Sequence, residues 1–299
     1  MLDISDIYNF DSNRAELMRK HLDHDKSENS ESLRSISTRF WYESLVSRYG
    51  LKTAYQAEKF FEPDAFTYDS AGKILHSRNK WHSYENGTSR PRAKMLNLVE
   101  AKAPGSTRLI NHPLWTALDT ANTDGFLSDN FLRQLTPDVQ SLVLGSEAQD
   151  ACFSTRKKIT TGTMSKLLRI SSVDTLAVLS WLIRERSHKN LPDNSALFLG
   201  LHFSLLIMSL QLYNQKVVYP LLHRMLNEIY PLALSSSEKI AMTAIDYIDA
   251  SLTLNTLAHH KLIAEKSLTS WLHRTKMMAK LINGDYGLDI RRSLLPSFI

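Results

Sequence analysis

Five consecutive segments in the second half of the chain place apolar residues at helical spacing. They cover residues 173–186, 194–214, 217–230, 236–254 and 257–282. Apolar side chains that recur every three or four residues form one face of an α-helix, and that face must be buried against another element. Capping signals rich in serine stand at residues 172–174 and 235–238. The sequence therefore predicts a bundle of about five antiparallel helices over residues 122–299.

The preceding part of the chain has helical spacing in shorter segments. Helices are predicted at residues 35–49, 53–61, 77–86 and 91–103, each followed closely by a glycine or a proline. Between the second and the third, residues 66–75 alternate aromatic and polar side chains around Asp69 and Gly72. This pattern fits either a short β-hairpin or a loop that leads into the next helix. The predicted fold class is mainly α, with a small basic helical N-terminal domain followed by the C-terminal bundle.

Charge is distributed unevenly along the chain. Residues 1–33 carry four Lys or Arg and eight Asp or Glu, whereas residues 72–110 carry eight Lys or Arg and two Glu. Together with a turn signal at residues 122–125, this predicts three parts. They are an acidic N-terminal arm or linker over 1–33, a basic domain over 34–121 and the bundle over 122–299. Such a basic segment attracts phosphate or an acidic partner, and a solvated basic face is the alternative.

The chain lacks the short motifs of common catalytic and cofactor sites. It has no phosphate-binding glycine loop, no nucleophile elbow and no His-Glu-x-x-His pattern. Its single cysteine, Cys152, excludes an intramolecular disulfide and a thiolate zinc cluster. Asp246 and Asp249 are three residues apart on a predicted helix, where they fit its exposed side. We therefore predict no catalytic residue, no metal site and no cofactor.

Residues 51–61 and 80–91 together resemble the helix-turn-helix of the lambda-repressor-like (XRE) family. The first segment, LKTAYQAEKFF, matches the Gln-Ala-Glu type of helix in that family. The second, KWHSYENGTSRP, matches an aromatic-rich recognition helix that ends in Glu-x-Gly-x-x-x-Pro. The resemblance covers about residues 50–105. It departs from the family pattern at residues 62–75, which add a possible hairpin between two helices that the family keeps close together.

The resemblance implies a role for each matching residue. The helix over 77–86 would enter the major groove, where bidentate side chains read base edges and cations beside them bind phosphate. The implied base-contacting residues are Arg78, Asn79 and Lys80, and the implied phosphate-binding residues are Arg90, Arg92 and Lys94. The implied structural residues are Trp81 and Tyr84 in the core, Glu85 at the turn, Gly87 as the helix stop and Pro91 at the start of the next helix.

The function expected from these features is that of a DNA-binding protein, a regulator of bacterial or phage type. Its partners would be double-stranded DNA and a second copy of the chain, with the bundle as the dimerisation domain. In a rival interpretation, the chain is a helical scaffold whose basic patch docks an acidic protein. An enzyme without a recognisable motif is the third interpretation.

The sequence also indicates where the chain is found. The N-terminus has no basic stretch followed by an apolar run, so a cytoplasmic protein is expected. The longest apolar run, residues 197–213, is shorter than the usual ~20 residues of a membrane span and contains polar side chains. We expect it to be a core helix, and a helix at a membrane surface is the alternative.

Overall fold

The computed structural model describes residues 31–71, 74–76, 79–122, 128–145, 156–191, 194–234, 240–268 and 270–296. The predicted mainly α fold is confirmed. The described residues divide into two compact units. The smaller unit comprises residues 31–112 and 214–220, and the larger unit comprises 113–213 and 221–296. This division falls before the predicted boundary at residue 121, and it assigns a short segment from the second half of the chain to the smaller unit.

The smaller unit is built from five helices and one hairpin among its described residues. The helices are α1 (Leu33–Tyr49), α2 (Ala54–Phe61), α3 (Lys80–Glu85), α4 (Ala93–Lys102) and α5 (Ser106–Ile110). The ends of α1 are encoded locally. The Ser32 side chain accepts a hydrogen bond from the backbone N–H of Ser35, and Gly50 adopts the left-handed conformation after the last turn.

A short antiparallel hairpin follows α2. Its strands are β1 (Thr67–Tyr68) and β2 (Ile74–His76), with Thr67 opposite His76 and Tyr68 opposite Ile74. The Asp69 carboxylate accepts a hydrogen bond from the Ala71 N–H at 2.9 Å, which stabilises the start of the turn. Of the two alternatives for residues 66–75, the hairpin is therefore the one that forms.

The core of the smaller unit is a stack of aromatic rings. Trp81 lies at its centre, with no exposed surface. Its ring is nearly parallel to that of Phe61, at a centroid distance of 5.0 Å, and stacks on Trp41 at 5.8 Å. Tyr84 meets both tryptophans edge to face. Because the rings come from α1, α2 and α3, the stack holds these three helices together.

The larger unit is helical throughout its described elements. They are α6 (Pro113–Leu118), α7 (Pro137–Val143), α8 (Thr161–Ile170), α9 (Val173–His188), α10 (Ser195–Asn214), α11 (Val218–Arg224), α12 (Ala244–Ala264), α13 (Trp271–Asn283) and α14 (Leu288–Ser293). The first residues of α11 and the last residue of α10 belong to the smaller unit. A π-helical turn at Met225–Ile229 continues α11, so the predicted helix over 217–230 is not regular α-helix throughout.

The predicted break between residues 254 and 257 is wrong. One helix, α12, crosses this point, and the chain turns after Ala264 instead. The Asn255 side chain is buried and donates to the Ser251 carbonyl one turn back, at 2.9 Å, so this polar residue is accommodated inside the helix. The N-terminal cap is also misplaced, because Thr243 and Asp246 form a capping box there. The predicted capping residues 235–238 lie outside the described residues.

Helix α10 contains the longest apolar run. It is the one helix among those described with the length and composition of a membrane span, with a mean hydropathy of 1.7 in its most apolar window. However, 78% of that window is buried inside the protein, as in a core helix.

His202 of α10 is fully buried and joins a chain of hydrogen bonds. Its Nδ1 meets the Tyr247 hydroxyl, which also meets the Tyr230 hydroxyl, and its Nε2 lies 2.7 Å from the Leu294 carbonyl. A carbonyl can only accept, so Nε2 carries the proton and Nδ1 accepts from Tyr247. Burial lowers the pKa of His202 to about 4. The imidazole is therefore neutral at pH 7, and it links α10 to the C-terminal end of the larger unit.

Candidate functional site

Basic side chains converge on one pocket of the smaller unit. The pocket has a volume of about 420 Å³. Its lining residues are Glu62, Lys80, Tyr84, Ser89, Arg90, Arg92, Lys94, Met95 and Leu98. Four cationic side chains thus face a single carboxylate. The four are Lys80, Arg90, Arg92 and Lys94, which are four of the six DNA-binding residues implied by the sequence resemblance.

Four parts of the smaller unit form the pocket. Helix α3 contributes Lys80 and Tyr84, and α4 contributes Lys94, Met95 and Leu98. The segment between these helices contributes Ser89, Arg90 and Arg92, and Glu62 lies at the end of α2. Gly87 makes this connection possible. It has φ +67°, and a Cβ atom there would lie 2.4 Å from the Ser35 hydroxyl oxygen. Only glycine combines this backbone conformation with such a close approach to α1.

Pro91 is not at the first helical position of α4, as the sequence suggested. It is buried before the helix, and Arg92 occupies the N-cap position with extended backbone. Arg92 gives no side-chain cap to the helix. The positive end of the α4 dipole therefore lies beside Arg92 and Lys94, at the pocket.

Glu62 neutralises one of the four cations. Its carboxylate accepts from the Lys80 ammonium and from the Trp81 indole N–H, each at 2.9 Å. Burial, and after it the nearby carboxylates of Glu62 and Glu58, raise the pKa of Tyr84 to about 12. Tyr84 therefore keeps its proton, and Lys80 is held in place by Glu62.

Arg90 lines the pocket but is largely committed to other groups. Its guanidinium donates to the Ser37 hydroxyl at 3.1 Å, the Ile110 carbonyl at 3.2 Å and the Asn111 side-chain oxygen at 2.7 Å. Burial, followed by the charge of Arg34, lowers the pKa of Arg90. Its main role is to join α1 to the end of α5, and it contributes charge to the pocket from a fixed position.

Arg92 and Lys94 are the available cations. Both side chains are exposed, and within the described part of the chain neither makes a hydrogen bond or an ion pair. Arg92 is the N-cap residue of α4, and Lys94 lies in its first turn. An anion at this position would meet a guanidinium, an ammonium and the positive end of a helix.

The implied base-reading helix is shorter than expected. Helix α3 begins at Lys80, because Asn79 adopts a left-handed conformation with φ 49°. Asn79 is exposed, makes no capping bond and does not lie on the helix, and Arg78 lies outside the described residues. On the helix itself Trp81 and Tyr84 are buried, which leaves few side chains free to reach a groove.

Local hydrogen bonds occupy much of the exposed side of α3. The His82 ring contacts the Glu85 carboxylate at 3.1 Å and the Asn86 amide nitrogen at 3.1 Å. Glu85 lies 4.0 Å from the Lys216 ammonium, in the segment 214–220 that belongs to this unit. Lys216 also forms an ion pair with Glu43 on α1, at 2.6 Å. Glu85 thus lies at the turn after α3, where its carboxylate contacts His82 and Lys216.

Sequence reasoning missed Glu62 as a member of the site. The Lys80–Glu62 ion pair joins residues 18 positions apart, across the hairpin. No periodicity links them, since side-chain pairs within a helix occur three or four residues apart. The available signal was an acidic residue at the end of α2, next to a segment otherwise rich in cations.

Comparisons with protein-family models, with curated proteins and with solved structures find no match to this chain.

Proposed function

We propose that the smaller unit binds nucleic acid through phosphate contacts at the basic pocket. The observation that carries the proposal is the convergence of Lys80, Arg90, Arg92 and Lys94 around one cavity that contains a single carboxylate. A nucleic-acid backbone presents phosphates at regular spacing, and arginine and lysine are their usual ligands. The exposed Arg92 and Lys94 make the first contacts, and Lys80 joins them from its position beside Glu62.

The arrangement favours phosphate contacts over base reading. A recognition helix needs several free side chains along one exposed face. Helix α3 has six residues, two of which are buried in the aromatic stack. Binding should therefore depend steeply on salt and weakly on base sequence. Nucleic acid is therefore expected to bind at the pocket and not along a groove-reading helix.

A salt-dependent titration tests the proposal. Fluorescence polarisation would follow full-length protein binding to a labelled 20-base-pair duplex at ~50 and ~200 mM salt. Lys80 is already paired with Glu62, so counterion release is expected from Arg92 and Lys94, and two such contacts predict about a 12-fold loss of affinity between these salt concentrations. Arg92→Ala with Lys94→Ala should remove most of this salt dependence.

A matched control removes the same charge elsewhere. Lys276→Ala with Lys280→Ala takes two exposed cations from α13 in the larger unit. This variant should retain the wild-type salt dependence. If duplex and single-stranded DNA both fail to bind at ~50 mM salt, the proposal is wrong, and an acidic protein partner becomes the better interpretation of the pocket.

Self-association of the larger unit is a second candidate function. Four large apolar side chains near the C-terminal end of the larger unit remain exposed. They lie on α12, on α13, on α14 and on the loop between α12 and α13. They are Ile263, Leu268, Leu272 and Leu288, each more than half exposed. We propose that they form part of a contact between copies of the chain. Light scattering should give the mass of a dimer for wild type and that of a monomer for Leu268→Asp with Leu272→Asp. A monomeric wild type would contradict it.

A further inference from the structure

A second surface of the smaller unit combines exposed aromatic rings with cations. Phe60 on α2 is 40% exposed, although phenylalanine is usually buried. Its ring lies 5.0 Å from that of Tyr49 and 4.8 Å from that of the buried Phe61. These neighbours fix the orientation of the Phe60 ring while part of it remains open to solvent. A rigid, exposed ring of this kind can stack with another flat ring at little cost in entropy.

Two cations lie beside these rings. The Lys102 ammonium is 5.8 Å from the centre of the Phe60 ring, and the Arg48 guanidinium is 5.6 Å from the centre of the Tyr49 ring. Backbone carbonyls hold both cations in place. Lys102 donates to the Phe60 carbonyl at 2.8 Å, and Arg48 donates to the Pro104 carbonyl at 3.0 Å. The ligand therefore finds the charges already positioned.

Within the described part of the chain, neither Lys102 nor Arg48 forms an ion pair with a carboxylate. Glu58, on the same helix as Phe60, is only 2% exposed. Glu100, two residues before Lys102, binds the backbone N–H groups of Gly105 and Thr107. Lys59 on α2 is exposed and adds to the positive charge. The surface is complementary to an anion that also carries flat rings.

Helix α4 connects this surface to the basic pocket. Lys94 and Leu98 line the pocket, and Lys102 follows at the same four-residue spacing, so the three residues share one face of the helix. Eight residues of helix span about 12 Å. A few nucleotides of one strand can therefore reach from the pocket to the aromatic rings.

We propose that the surface formed by Arg48, Tyr49, Phe60 and Lys102 stacks the bases of an unpaired nucleic-acid strand. This inference rests on the proposed function, because the phosphates of the same strand occupy the pocket. In a duplex the faces of the bases are covered by their neighbours, whereas in a single strand they are free to stack on protein aromatic rings. The preferred ligand of the smaller unit is thus single-stranded rather than double-stranded.

The test compares two ligands and two substitutions at one position in the full-length protein. Labelled dT12 and a labelled 12-base-pair duplex are titrated at ~50 mM salt. Wild type should bind dT12 more tightly than the duplex. Phe60→Ala should weaken dT12 binding about 5- to 150-fold and leave duplex binding unchanged, since stacking is lost only with the unpaired strand. Phe60→Tyr keeps a ring and should bind dT12 nearly as well as wild type.

A control variant separates stacking from a general loss of apolar surface. Leu191→Ala shortens a side chain that is 43% exposed in the larger unit, and it should bind dT12 as wild type does. Thermal unfolding of each variant shows whether the fold is retained.

The outcomes separate the two proposals. If Arg92→Ala with Lys94→Ala weakens binding to both ligands and Phe60→Ala weakens neither, phosphate binding stands and the stacking surface is wrong. If Phe60→Ala weakens both ligands equally, or wild type prefers the duplex, the single-strand preference is also wrong. If neither ligand binds, phosphate binding fails and the stacking surface fails with it.

Discussion

Glu100 provides a quantitative test of how the corner between α4 and α5 is held. Its carboxylate accepts from the backbone N–H of Gly105 at 2.6 Å, the backbone N–H of Thr107 at 2.7 Å and the Ser106 hydroxyl at 2.8 Å. The two backbone hydrogen bonds are the largest cause that lowers the pKa of Glu100, to about 2. The carboxylate thus serves as the N-terminal cap of α5 from the preceding helix.

Glu100→Gln keeps the size of the side chain and removes its charge. Loss of a helix cap costs about 0.5–2 kcal/mol, and a hydrogen bond to a charged group is stronger than one to a neutral group. Glu100 is partly exposed, so solvent screening reduces the electrostatic share. We expect the free energy of unfolding at pH 7 to fall by about 1–2 kcal/mol.

The lowered pKa of Glu100 determines the direction in which the stability of the protein changes with pH. The pKa of Glu100 is about 2 in the folded protein, below the value of about 4.3 in an unfolded chain. The unfolded state therefore binds more protons between these values, and stability is lost as the pH falls through them. The difference between wild type and Glu100→Gln should be full above about pH 5 and should shrink toward pH 3.

Urea denaturation followed by tryptophan fluorescence at pH 7, 5 and 3.5 measures this difference. The control is Asp289→Asn, which removes a 99% exposed carboxylate from α14. That substitution should change the free energy of unfolding by less than about 0.5 kcal/mol. A gap for Glu100→Gln that stays constant with pH, or that is absent at pH 7, would refute the assignment of Glu100 as a charged cap.

Three further predictions concern the two units. Gly87→Ala should destabilise the protein by more than Gly50→Ala, which costs about 1 kcal/mol. Both glycines have positive φ, but only at Gly87 would a Cβ atom strike Ser35, and urea denaturation of the two variants compares them. Because burial lowers the pKa of His202 to about 4, the free energy of unfolding should fall as the pH drops from about 6.5 toward 4. His202→Gln should lack this pH-dependent loss of stability when urea denaturation is measured over the same pH range. Arg184→Met removes donors to three backbone carbonyls at 2.8–3.1 Å and should lower the melting temperature, whereas a melting temperature equal to that of wild type would contradict a structural role.

Much of the local structure could be predicted from the sequence. The end of α1 at Gly50 was predicted, whereas its start at Leu33 lies two residues before the predicted one because Ser32 caps the helix. The hairpin was one of the two structures predicted for residues 66–75. Such features depend on residues within a few positions of one another, so the sequence contains the whole cause. Prediction was less successful where a polar residue is accommodated by its own helix. Asn255 is one example, since its hydrogen bond to Ser251 lets α12 continue through the predicted break.

The candidate site could be predicted only in part. The cations of the pocket were identified from their clustering along the chain. The sequence did not predict which of them are paired with other protein groups and which are exposed. Lys80 is paired with Glu62, Arg90 is bonded to Ser37 across 53 positions, and Arg92 and Lys94 remain exposed. The contact between Phe60 and Lys102 likewise joins residues 42 positions apart.

The sequence by itself determined the helical class of this protein, some of its helix ends, such as Gly50 after α1, and the segment in which positive charge accumulates. The tertiary structure alone decided which cations are paired, which are free and which aromatic rings remain exposed. The physical reason is that helix signals act over one or two turns, whereas a charge is neutralised or left free by groups that only the packed core brings within a few ångströms.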